Sequence, residues 1–78
     1  MVITISTGVA EAVSRLLRES GTSQAGLSEQ AGIPRTTLQR RLIDGDFTIT
    51  ELARIALVLD TTPDAIIVQG ADILAGAA

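Results

Sequence analysis

The sequence predicts an all-α fold of five short helices. Three observations carry that expectation. Apolar residues recur with a helical period in five successive segments; Ser, Thr or Pro precedes the segments and Gly follows most of them; and a hydrophobic fraction of 46% with mean hydropathy +0.40 is too apolar for a disordered tail. A chain of 78 residues and 8.1 kDa holds one small domain, taken here as residues 1–78. By surface scaling such a fold buries only about 60% of its extended-chain area, so the core is thin and stability marginal.

In the first segment Thr7 is the expected cap, and Val9, Val13, Leu16 and Leu17 fall at i, i+4, i+7 and i+8 on one face, with Ser20-Gly21 as the stop. Ser23 caps the second, Gln24 to Ala31, where Leu27 and Ala31 point inward and Gly32 closes the helix. The third starts at Ile33-Pro34, with Pro at the first helical position, has Leu38 and Leu42 inward, and ends at Gly45. Thr48 and Glu51 spell a capping box ahead of the fourth, whose inward stripe is Leu52, Ile55, Ala56 and Leu59; Phe47 and Leu52 occupy the staple positions. Thr62-Pro63-Asp64 opens the fifth, with Ile66, Ile67, Ile73 and Leu74 on one side and Gly70 as an early stop. The opening MVITIST alternates β-branched and polar residues, so a short N-terminal strand over Met1–Ser6 is also a candidate.

Composition removes several function classes. With no Cys and no His there is no thiolate or imidazole metal site, no zinc finger and no Ser-His or Cys-His hydrolase, and the acids are scattered rather than paired. No enzymatic activity, cofactor or small-molecule ligand is expected. Phe47 is the single aromatic residue, so stacking platforms for single-stranded nucleic acid are absent. No apolar run is long enough for a membrane span, and the opening has no basic segment of a signal peptide, which makes the cytoplasm the expected location. Net charge is −3, unpromising for a nucleic-acid partner until its distribution is read. Three Arg and no acid lie between Ile33 and Ile43, while Asp60, Asp64 and Asp72 stand without a base from Asp60 to the end.

Ala31-Gly32-Ile33-Pro34 is a tight turn between two short helices, the helix-turn-helix arrangement, spanning about residues 23–43. In that arrangement the first helix crosses the DNA backbone and the second presents its N-terminal residues to base edges in the major groove. Ser23-Gln24, Leu27, Ala31-Gly32-Ile33, Thr37-Leu38, Arg40, Gly45, Glu51-Leu52, Ile55-Ala56, Leu59 and Ala65-Ile66-Ile67 together resemble the lambda-repressor-like, Cro/C1-type helix-turn-helix family, in register over about residues 8–68. The resemblance implies a DNA-binding transcriptional regulator, a phage or bacterial repressor acting on double-stranded operator DNA as a homodimer.

Carried over by position, the resemblance puts Gln24 on a phosphate or against a reading side chain. It makes Pro34, Arg35, Thr36, Gln39 and Arg40 the start and reading face of the third helix. Ser23, Thr37 and Thr48 are candidate phosphate contacts. Arg pairs bidentately with guanine and Gln with adenine; Arg35 and Gln39 are read as one outward face opposite Leu38 and Leu42. Arg41 joins the DNA-facing set, with Asp44, Asp46 or Glu51 as alternative ion-pair partners; Arg15 has Glu11 or Glu19 within reach, and Arg18 and Arg54 are surface charges. The sequence departs from the family pattern at Gly26, Ser28, Pro34 and Arg41. Ile67, Val68, Ile73 and Leu74 are the expected dimer surface, with Ile73 and Leu74 lying past the core. The alternative function is a protein-interaction module, antitoxin-like or an adaptor, that keeps this fold and binds through its acidic C-terminal half.

Overall fold

A computed structural model describes residues 5–76 and contains five α-helices: α1 Ile5–Ser20, α2 Gln24–Ala31, α3 Arg35–Asp44, α4 Ile49–Val58 and α5 Pro63–Leu74. No strand occurs among the described residues. Each helix contributes one fully buried large side chain to a common core: Val13, Leu27, Leu38, Ile55 and Ile66. Smaller partners fill in around them, notably Val9, Ala12, Ala31, Ile33, Leu52 and Ala56, and among the described residues no polar or charged side chain is buried. α1 lies along α5 and also against α3, α2 packs on α3 and α4, and α4 packs on α5.

The expected caps are formed at three helix starts. Ser23 Oγ accepts from the Gly26 amide at 2.9 Å, Thr62 Oγ1 from the Ala65 amide at 3.2 Å, and Thr48 and Glu51 close a full capping box. Pro63 sits at the first position of α5, where no intrahelical N–H bond is lost. Pro34 is displaced by one residue from its expected place: it is the N-cap of α3, in extended conformation, and Arg35 is the first helical residue. A pyrrolidine offers no acceptor, so α3 begins without a side-chain cap.

Other expectations are corrected. Ile5 and Ser6 belong to α1, so that part of the strand candidate is helical and Thr7 lies inside the helix instead of capping it; Met1–Thr4 lie outside the described residues. Gly70 does not end α5. Both Gly8 and Gly70 are buried where α1 and α5 meet, close enough that a Cβ on Gly70 would stand 2.8 Å from the Val9 amide nitrogen. Absence of a side chain, which reads in sequence as helix breaking, here allows two backbones to touch. Carrying α5 past Gly70 also brings Ile73 down against the core and leaves Leu74 half-buried beside Gly8; neither lies past the core.

On the surface of α1, Glu11 accepts from Arg15 and Arg18, each at 3.3 Å. The Arg18 guanidinium first, and Arg15 second, hold its carboxyl below the ordinary glutamate range. A lowered folded-state pKa gives stability that is present above the unfolded pKa and lost as pH falls through the folded one; solvent screening keeps this contribution small.

Candidate nucleic-acid interface

The turn between α2 and α3 is built by local hydrogen bonding. Gly32, at φ 68°, takes the left-handed conformation that closes α2, and its amide bonds back to the Ser28 carbonyl. Ile33 follows as a buried plug, its amide donating to the same carbonyl at 3.1 Å. The Ser28 hydroxyl donates to the Ile33 carbonyl, so the residue that departs from the family pattern braces the turn from inside. An alanine at this position could not do this.

α3 is held to the rest of the molecule by few side chains. Leu38 alone is fully buried, and Thr37, Arg41 and Leu42 are half-buried; Arg35, Thr36, Gln39, Arg40 and Ile43 are exposed. At 100° per residue, the exposed face is centred on Thr36, Arg40 and Ile43, spaced i, i+4 and i+7. Arg35 and Gln39 are four residues apart and both exposed, but they flank the Leu38–Leu42 keel instead of opposing it. Ile43, with 83% of its surface exposed, was not among the expected site residues. The signal was present: a strongly apolar residue one turn beyond Gln39 and Arg40 that the buried stripe does not use.

The other expected residues fall into two groups. Ser23 and Gln24 are exposed at the start of α2, where Gln24 lines an open hollow together with Ser14, Arg18 and Thr22. Thr48 is exposed, with its hydroxyl engaged as the α4 cap. Arg41 is half-buried and donates from Nε to Glu51 Oε1 at 3.1 Å, which decides among its alternative acidic partners.

Electrostatically this face is distinct from the chain as a whole. Among the described residues Arg15 and Arg18 share Glu11 and Arg41 takes Glu51, whereas Arg35 and Arg40 on α3 have no carboxylate partner. Asp64 and Asp72, by contrast, are exposed on α5, which packs on α1 and α4. Arg54, on α4, reaches the end of α2 beside Gly32, where a cation complements the negative end of the helix. No cluster of potential metal ligands occurs among the described residues, and no described helix is long and apolar enough to cross a membrane.

Two exposed polar residues at the head of α2 and two unpaired arginines on α3, either side of a braced turn, form a surface suited to phosphates and base edges. Comparison with known proteins agrees with that geometry: a family model described as helix-turn-helix matches residues 13–66, from the middle of α1 into α5. No curated protein and no solved structure matches the chain significantly.

Proposed function

The chain belongs to the Cro/C1-type helix-turn-helix family of DNA-binding regulators, and on that premise we propose that residues 1–78 form a single domain that reads double-stranded operator DNA as a transcriptional repressor, in a bacterial or phage-infected cytoplasm. The observation that carries this reading is the pair Arg35 and Arg40, exposed and without carboxylate partners on the helix that follows the turn. α3 enters the major groove, Arg35, Thr36, Gln39 and Arg40 meet base edges, and Ile43 offers an apolar surface of the kind that contacts thymine methyl groups. Ser23, Gln24, Pro34, Thr37 and Thr48 border the phosphates.

Selection of duplexes from a randomised pool tests the reading. The expected result is an inverted repeat with half-sites about one helical turn apart. Binding to it weakens with salt along a log–log slope of about −3.6 or steeper, for four or more phosphates per dimer. A pool that returns no preferred sequence, with weak binding to every duplex, overturns it and moves the function to the acidic face of α5.

A single module of this size buries little DNA surface, so a homodimer is proposed on the operator. Ile67 and Val68 remain available for it, at 36% and 59% exposure. Ile67 also lines a shallow groove of about 160 Å³ with Ile5, Phe47 and Ile49. Ile73 and Leu74, both half-buried, offer less surface to the dimer. Ile67→Glu and Val68→Glu are expected to reduce self-association in sedimentation while leaving the helical signal intact. Wild-type association of both variants would place the dimer surface elsewhere.

A further inference from the structure

Arg41 and Glu51 form the one ion pair among the described residues that joins two helices, and it joins them at a critical place. Arg41 lies in the last turn of α3 and Glu51 in the first turn of α4; their side chains are only 21% and 16% exposed. The Glu51 oxygen that takes the Arg41 Nε–H, Oε1, also accepts the Thr48 amide at 2.8 Å. One carboxylate oxygen therefore ties α3 to the N-cap of α4.

From this we infer that the Arg41–Glu51 pair sets the rotation of α3 about its own axis, making Arg41 a positioning residue for base reading and not a DNA contact. The inference rests on the proposed DNA-binding function and deepens it. Its physical basis is the sparse anchoring of α3. Leu38 is its only fully buried side chain, with Leu42 half-buried behind it. Apolar burial is non-directional and tolerates a roll of the helix on that keel. A charge-assisted hydrogen bond to a planar guanidinium is directional. Arg41 projects about 60° around the helix from Leu38, on the flank away from Arg35 and Gln39, so it resists roll in the sense that would carry those residues toward or away from the groove. A roll of even one side-chain width would misplace bidentate contacts while leaving phosphate attraction nearly unchanged.

Two measurements on the full chain test this, using Arg41→Met, Arg41→Lys and Glu51→Gln. Gln keeps an acceptor and remains competent at that position of a capping box, so Glu51→Gln removes the charge without removing the cap. Without DNA, amide exchange in the last turn of α3 and the first turn of α4 is expected to speed up in Arg41→Met by about five- to thirtyfold relative to the core amides of α1 and α5. With DNA, the spread of affinities over single-base operator variants should narrow in Arg41→Met and Arg41→Lys, and less so in Glu51→Gln, with the salt slope unchanged in all three. A phosphate-contacting Arg41 gives the opposite pattern: Arg41→Met reduces the slope by about 2, for one lost phosphate contact on each copy of the dimer, with uniform weakening, and Arg41→Lys restores it. That pattern, or unaltered local exchange, overturns the inference. If wild-type protein discriminates no sequences, the DNA-reading function fails, while the exchange result still decides whether the pair holds α3.

Discussion

Gly8→Ala and Gly70→Ala should each lower the melting temperature, although alanine is the better helix former by about 1 kcal/mol. A Cβ on Gly8 would fall on the Gly70 carbonyl oxygen and stand 2.9 Å from Leu74 Cγ. A Cβ on Gly70 would stand 2.8 Å from the Val9 nitrogen and 2.9 Å from the Gly8 carbonyl carbon. Most of these neighbours are backbone, so no rotamer change relieves them and α1 must move away from α5. α1 and α5 are in contact there, and Val9 and Val13 of the one and Ile66 of the other belong to the common core, with Ile73 packed against it. Overpacking of this kind costs about 1–3 kcal/mol. A chain of this length has only about 4–12 kcal/mol of stability to lose, at the usual value per residue. Since each kcal/mol shifts the midpoint of a small domain by about 4–8 °C, the expected drop is about 4–24 °C. Gly8→Ala should lie toward the larger end, because its added atom meets a carbonyl oxygen most closely. The double variant should cost less than the sum, since the first Cβ already separates the helices. Thermal denaturation followed by circular dichroism is sufficient; an unchanged or raised midpoint would mean that the two glycines do not set the crossing.

Arg35→Ala and Gln39→Ala should alter sequence preference more than they alter general affinity for DNA. Both side chains are exposed on one flank of α3, and neither is engaged in an ion pair or side-chain hydrogen bond among the described residues. Arg35 can fork onto guanine O6 and N7, and Gln39 onto adenine N6 and N7. Loss of either contact should cost about 1–3 kcal/mol on the preferred operator, roughly 5- to 150-fold in affinity, and relax the preference at one base position. Gln24→Ala distinguishes the two roles open to Gln24. Uniform weakening across sequences marks a phosphate partner, while a profile like that of Arg35→Ala marks a brace on Arg35. The measurement is a binding series over single-base operator variants at fixed salt. If Arg35→Ala and Gln39→Ala keep the wild-type ranking and spacing of affinities, α3 is not the reading element.

The two predictions differ in how far they could be seen in the amino-acid sequence. The exposure of Arg35 and Gln39 on the helix after the turn is legible, though not their place on the flank of the Leu38–Leu42 keel, because a helix-turn-helix is a local motif: Ser23 as cap, Gly32 in the turn and Leu38 as anchor follow from neighbours a few residues apart. The glycine pair is not legible, because residues 8 and 70 acquire meaning only when distant helices meet. Read alone, Gly70 is a weak helix position and a plausible stop.

The same division runs through the rest of the molecule. Sequence by itself determined the number of helices, most of their ends and the side chain each buries, since caps, turns and a 3.6-residue period are short-range physics acting within one or two turns. It also determined the lopsided charge, with Arg35 and Arg40 near the turn and the acids Asp60, Asp64 and Asp72 toward the end. Only the tertiary structure decided that Ile73 and Leu74 belong to the packing of α5 on α1, that Arg41 takes Glu51 among three candidate acids, and that Ile43 stands exposed on α3. Each of those outcomes depends on the rotation and approach of whole helices, which is set by the summed packing of residues remote in the chain and leaves no periodic trace in the sequence around the residue concerned.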